Sequence, residues 1–167
     1  MDLMDQYLSH LLDPAVRSFN RRLHGVDEET AEPHPAGVTD RHVSEAEVAL
    51  GVALPPGYRK LVTTVPPADA EYGIYWVQGD RADHLGADIV SVNRGPTSPL
   101  PPFLVAVQGT DDGDEYCFDT RHPDARGEYP IVLFRHDRDS EDSTEFERVS
   151  EDLGEFLLGS LGPETSA

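Results

Sequence analysis

The chain has 167 residues, enough for one domain with a buried core. It carries 32 acidic against 13 basic residues, a formal net charge of −19. That balance excludes direct binding of nucleic acid or an anionic membrane, which needs clustered Lys and Arg, and leaves a cationic partner or plain solubility as its meaning.

Met1-Asp2-Leu3-Met4-Asp5 lacks the basic start and apolar run of a signal peptide, and no run is long enough to span a membrane, so a cytoplasmic protein is expected. Met4, Tyr7, Leu8, Leu11 and Leu12 then recur at helical spacing. Pro14 breaks the pattern and starts a second helical piece with Asp13 as its cap. Val16, Phe19 and Leu23 continue an apolar stripe there. From Gly25 to Gly37 the chain is polar and holds Pro33 and Pro35, which reads as a loop.

Ser44-Glu45-Ala46-Glu47 has the form of a capping box, and Gly51 supplies the stop. Leu54-Pro55-Pro56-Gly57-Tyr58 opens another helix, with Tyr58, Leu61 and Val62 on its buried face. Tyr72 to Val77 alternates, with Tyr72, Ile74 and Trp76 on one side, and predicts a strand. Asp88 to Val92 fits either strand or helix, and the Pro- and Gly-rich residues that follow read as a loop.

Phe103 to Val107 and Glu115 to Asp119 predict an antiparallel hairpin around the turn Gly109-Thr110-Asp111-Asp112-Gly113-Asp114. The single cysteine, Cys117, excludes an internal disulfide and sits in a strand pattern as a buried thiol. Tyr129 to Phe134 is the next strand, with Pro130 where a missing N–H is tolerated. Arg135 to Glu147 is a charged loop. Ser150-Glu151-Asp152 caps a last helix whose buried stripe is Leu153, Phe156, Leu157 and Leu161. Gly162-Pro163 ends it. The expected organisation is a helical extension and loop over 1–37, a core domain over 38–162 and a frayed tail over 163–167.

Charge is concentrated in the second half. Gly109 to Glu155 holds 16 acids and 5 arginines, a net −11, an asymmetry that solvation alone does not require. The candidate interaction residues are therefore Asp111, Asp112, Asp114 and Glu115 in the hairpin turn, Asp137, Asp139, Glu141 and Asp142 in the later loop, and Tyr75 as an aromatic anchor. No catalytic pattern accompanies them. The acidic turn fails the spacing of a calcium loop, there is no Gly-x-Ser-x-Gly elbow or phosphate-binding glycine loop, and the seven histidines are scattered. His136 reads as a residue that orders its loop. No cofactor or metal is expected.

The order of these elements resembles the SMI1/KNR4 family of the SUKH superfamily. The first matching block runs from Ser44 through Gly51, Leu54-Pro55 and Tyr58-Arg59 to Leu61-Val62. The second runs from Phe103 to Phe118 and on through Tyr129-Pro130-Ile131-Val132. His136-Asp137 and Phe156-Leu157 fall where the family has a His-Asp pair and a closing helix. The resemblance spans about residues 40–162. It departs from the family at Val65-Pro66-Pro67 and Tyr72-Gly73, where Asn-Gly-Gly is common.

The resemblance implies an α+β domain with a twisted, mostly antiparallel sheet carrying helices. It implies a non-enzymatic immunity protein that binds and neutralises a cognate toxin with a basic surface, often a nuclease, and it carries over no catalytic residues. A monomer is expected. The alternative within the family is a regulatory or scaffold protein. An enzyme with a dispersed site is a third reading.

Overall fold

The computed structural model describes residues 1–26, 37–79, 87–95 and 98–161. Most of the loop expected between Gly25 and Gly37, the Gly162-Pro163 stop and the 163–167 tail lie outside the described residues.

Helix α1, Leu3–Leu11, starts at Asp2, whose Oδ1 accepts from the Asp5 N–H at 2.7 Å. It buries Met4, Tyr7, Leu8 and Leu11 and leaves Leu12 outside. Helix α2, Pro14–Leu23, begins as the sequence predicts, with Asp13 Oδ1 accepting from the Ala15 N–H at 2.8 Å. Its faces are reversed. Arg17, Asn20 and Arg21 are buried, while Phe19 is 54% and Leu23 51% exposed. The cause is the 3₁₀ turn Pro67–Asp69, which sits beneath α2. Arg21 Nε donates to Asp69 Oδ1 at 2.5 Å and its Nη2 to Oδ2 at 3.2 Å. Asn20 donates to the Asp69 carbonyl at 3.0 Å. A forked, fully buried pair of this kind holds the polar face inward, because turning it out would strand the Asp69 carboxylate.

Helix α3, Asp40–Leu50, begins four residues before the expected Ser44. The reciprocal bond is made by Thr39, whose N–H donates to His42 Nδ1 at 2.9 Å. Ser44 lies inside the helix, which frees Glu47 to accept the Leu54 N–H at 2.7 Å and to pair with Arg59. Helix α4, Pro56–Thr64, buries Tyr58, Leu61 and Val62 as expected.

Tyr72 to Val77 is not a strand. Ile74 bridges Gln108, and Trp76 bridges Asp88 in the opposite sense. The segment crosses from one neighbour to another and makes one bridge with each, so no ladder develops. Tyr75 N–H donates to the Val107 carbonyl at 2.8 Å, and Trp76 N–H to that of Ala87 at 2.9 Å. Ile74 and Trp76 are buried, but Tyr72 is 67% exposed. Helix α5, Ile89–Arg94, resolves the ambiguity at Asp88, whose Oδ2 accepts from the Ser91 N–H at 3.0 Å.

The sheet is an antiparallel meander of β1, Leu104–Gly109; β2, Glu115–Asp119; β3, Ile131–Phe134; and β4, Glu147–Ser150, in that order. The first three answer to predicted strands. For β4 the sequence predicts no strand: the charged loop runs to Glu147 and the helix cap follows at Ser150. It is an edge strand with three exposed residues, paired through Leu133–Glu147 and Val132–Arg148, and an edge of this kind needs no hydrophobic alternation.

Side chains of the inner strands alternate between two cores. Val105, Val107, Phe118 and Ile131 meet the helices, while Leu104, Ala106, Cys117, Val132 and Phe134 pack under Phe103 and Phe146. The fold is α+β, with six α-helices and this four-stranded sheet among the described residues. Helix α6, Leu153–Ser160, is capped by Asp152, whose Oδ1 accepts from the Glu155 N–H at 2.8 Å. It lies hard against α1. A Cβ at Gly154 would stand 2.8 Å from the Met4 nitrogen. Among the described residues no helix is long and apolar enough to cross a membrane.

Candidate interaction surface: the acidic end of the sheet

The hairpin turn between β1 and β2 and the loop after β3 leave the sheet at the same end, because Glu115 pairs with Phe134 in register. The turn closes on itself: Thr110 N–H donates to the Asp114 carbonyl at 2.9 Å, and Asp114 N–H to Thr110 Oγ1 at 3.0 Å. Asp111 and Asp112 project from it into solvent.

One contact joins turn and loop. Asp114 Oδ1 accepts the His136 N–H at 3.1 Å and lies 2.7 Å from His136 Nδ1. The hydrogen bond from His136 holds the Asp114 carboxyl below its usual range, and the same bond raises the His136 imidazole above its own. His136 thus orders the loop.

The loop is also tied internally. Asp139 turns inward, its Oδ2 accepting the Arg135 N–H at 2.8 Å, and Arg135 reaches Glu147 on β4. At its far side Arg121 donates to the Thr144 carbonyl at 3.0 Å and stacks 3.9 Å from the centre of the Phe103 ring. The same guanidinium grips the buried Asp119 through both oxygens, at 2.9 and 2.8 Å. The loop is therefore clamped at both ends.

The nine sequence candidates divide into two groups. The carboxylates of Asp111, Asp112, Asp137, Glu141 and Asp142 are exposed and make no hydrogen bond or close ion pair among the described residues, though Asp112 and Asp137 act on His136 through their charge. Asp114, Glu115, Asp139 and Tyr75 are held inside the structure. Tyr75 donates its hydroxyl to Glu115, and burial raises the pKa of both groups. Glu145, in the same loop but not singled out by the sequence, is exposed and unpaired in the same way. Its only signal is position, between the loop's other acids and Phe146.

The arrangement offers charge and shape. Among the described residues no three His, Cys, Asp or Glu side chains stand where they could share a metal ion. The Cys117 thiol is buried and its pKa is pushed up by that burial, which keeps it protonated and unreactive.

A model of the SMI1/KNR4 family (SUKH-1) matches residues 37–159. No curated protein matches the chain. The matched span takes in both acidic loops and every strand and leaves α1 and α2 outside.

Proposed function

The chain belongs to the SMI1/KNR4 family (SUKH-1), a class of immunity proteins, and from that premise we propose that it neutralises a cognate nuclease toxin by laying the acidic end of its sheet over the toxin's basic cleft. The observation that supports this reading is the His136–Asp114 junction, which sets two acidic loops side by side with five of their predicted carboxylates unpaired. A nuclease must hold a polyphosphate, so its cleft is cationic. A rigid set of carboxylates occupies the place of the phosphates.

Opposite charge also steers the encounter, raising association towards about 10⁸–10⁹ M⁻¹s⁻¹ at low salt. That speed is the property needed when unbound toxin is lethal. In this reading the toxin is occluded in the cytoplasm and not chemically altered, and Tyr75 serves by fixing Glu115 at the margin of the surface. Residues 38–162 carry the interaction, and residues 1–37 are an extension to it.

The test is stopped-flow binding to the toxin encoded beside this chain. Replacing Asp111, Asp112 and Asp137 by Lys should slow association at least tenfold while changing dissociation far less. Absence of binding at moderate salt, or an unchanged association rate in the triple variant, would sink the proposal.

A further inference from the structure

Helix α2 contradicts its own composition. Arg17, Asn20 and Arg21 are buried while Phe19 and Leu23 face water, and Val16 is half-buried against the core. Beneath it, Arg17 has a single hydrogen bond, to the Leu12 carbonyl at 3.1 Å, and its Nε and Nη1 have no partner among the described residues. The inward and outward stripes lie about a third of a turn apart on the helix. Rotating α2 by that amount would bury Phe19 and Leu23 and release two arginines. The fold holds the opposite orientation, and local conflicts of this kind are expected where a surface has a use.

The outward face is both ridge and groove. Phe19 and Leu23 protrude, and they also form one wall of a groove of about 580 Å³ closed by Val16, Glu71, Tyr72 and Leu161. Tyr72 is the most exposed of the large apolar residues in that lining. The helix and Leu161 lie outside the family match, whereas Glu71 and Tyr72 lie inside it.

We propose that this face is the contact of a twofold dimer, in which Phe19 and Leu23 of each copy seat in the groove of the other. A twofold contact needs a patch that complements itself, and a patch holding both knob and hole from the same residues meets that condition. Electrostatics select the same occupant. Two chains of charge −19 repel over most of their surfaces, but Pro14 to Val26 contains no carboxylate, and Glu71 is the one acid lining the groove. Arg22, beside Leu23, is the one Lys or Arg among the described residues whose side chain has no hydrogen bond or ion pair. In a twofold contact it is the cation available to Glu71 in the groove of the second copy. A stable interface buries about 800 Å² on each partner, and three exposed apolar side chains give a modest core for that, so the pairing is a weak one. This inference does not depend on the toxin reading.

Sedimentation velocity of the full chain tests it, run to about 300 μM in about 0.5 M salt, where screening shortens electrostatic repulsion to about 4 Å. The sedimenting mass should rise with concentration towards two copies. Phe19→Glu with Leu23→Glu should weaken the association at least tenfold without changing the far-ultraviolet circular dichroism. Arg22→Glu, an exposed side chain with no contact to lose, should weaken it several-fold and decides the matter if the double variant fails to fold. A wild-type chain that stays single throughout overturns the proposal and leaves the groove to a foreign segment. Variants that pair as tightly as wild type overturn it equally.

Discussion

The Tyr75 hydroxyl donates to Glu115 at 2.8 and 3.0 Å across the face of Gly109, where any Cβ would collide with it. The pair joins the segment crossing β1 to the first residue of β2, and it stands where the acidic turn begins. Tyr75→Phe should cost about 1–2 kcal/mol, because a half-buried carboxylate loses its donor. Gly109→Ala should cost at least as much by displacing the ring. Glu115→Gln should be milder, since an amide tolerates burial. Urea unfolding of the three variants measures the order.

The His136–Asp114 contact makes the joined loops sensitive to pH. His136 is raised above its ordinary 6.5, so its contribution is complete below that value and is lost as pH rises through the raised one. Asp114 is lowered below its ordinary 3.8, so its contribution is present above that value and is lost as pH falls through the lowered one. The contact is therefore firmest in mildly acidic solution. A proton NMR titration of His136 should give a midpoint above 6.5, and Asp114→Asn should return it towards that value. A midpoint at or below it in the wild type would show that the contact does not form.

Breaking the buried pair under α2 should be severe. Arg21→Met leaves the Asp69 carboxylate inside without its counter-ion and should cost about 3–5 kcal/mol. Arg21→Met with Asp69→Leu should recover much of that loss, because no charge then remains buried. Thermal unfolding of the single and double variants separates these cases.

Arg121 is the clamp on the acidic loop. Arg121→Ala should accelerate hydrogen exchange across residues 136–146 while β1 to β3 keep their protection. Arg121→Lys should rescue little, because an ammonium neither forks onto Asp119 nor stacks on Phe103.

Much of this architecture was legible. The hairpin followed from alternation on both sides of an Asp and Gly turn, and α1, α4 and α6 followed from apolar spacing, with a first-turn proline in α4 and an acidic cap on α6. Recognition of the family blocks came from the same residues. The misreadings share a cause. The strand expected at Tyr72–Val77 fails because hydrogen-bond partners lie on two different neighbours, and alternation is blind to partners. β4 was missed because an exposed edge needs no apolar side chains. Ser44-x-x-Glu47 satisfied a cap pattern that Thr39 and His42 fulfil instead. The face of α2 was inverted by Asp69, 48 positions from Arg21, and no local window contains that pairing. At the acidic end, the sequence named candidate residues. Which of them are spent internally, as Asp114, Asp139 and Glu115 are, depended on contacts across the hairpin.

The seating of α1 on α6 has a bearing on how the molecule comes into being. Met4, Tyr7, Leu8 and Leu11 lie in one cluster with Leu153 and Leu157, more than 140 positions further along the chain. The greasy side of α1 is thus not fully covered until α6 has been made. A copy cut short before Leu153 leaves that side partly open.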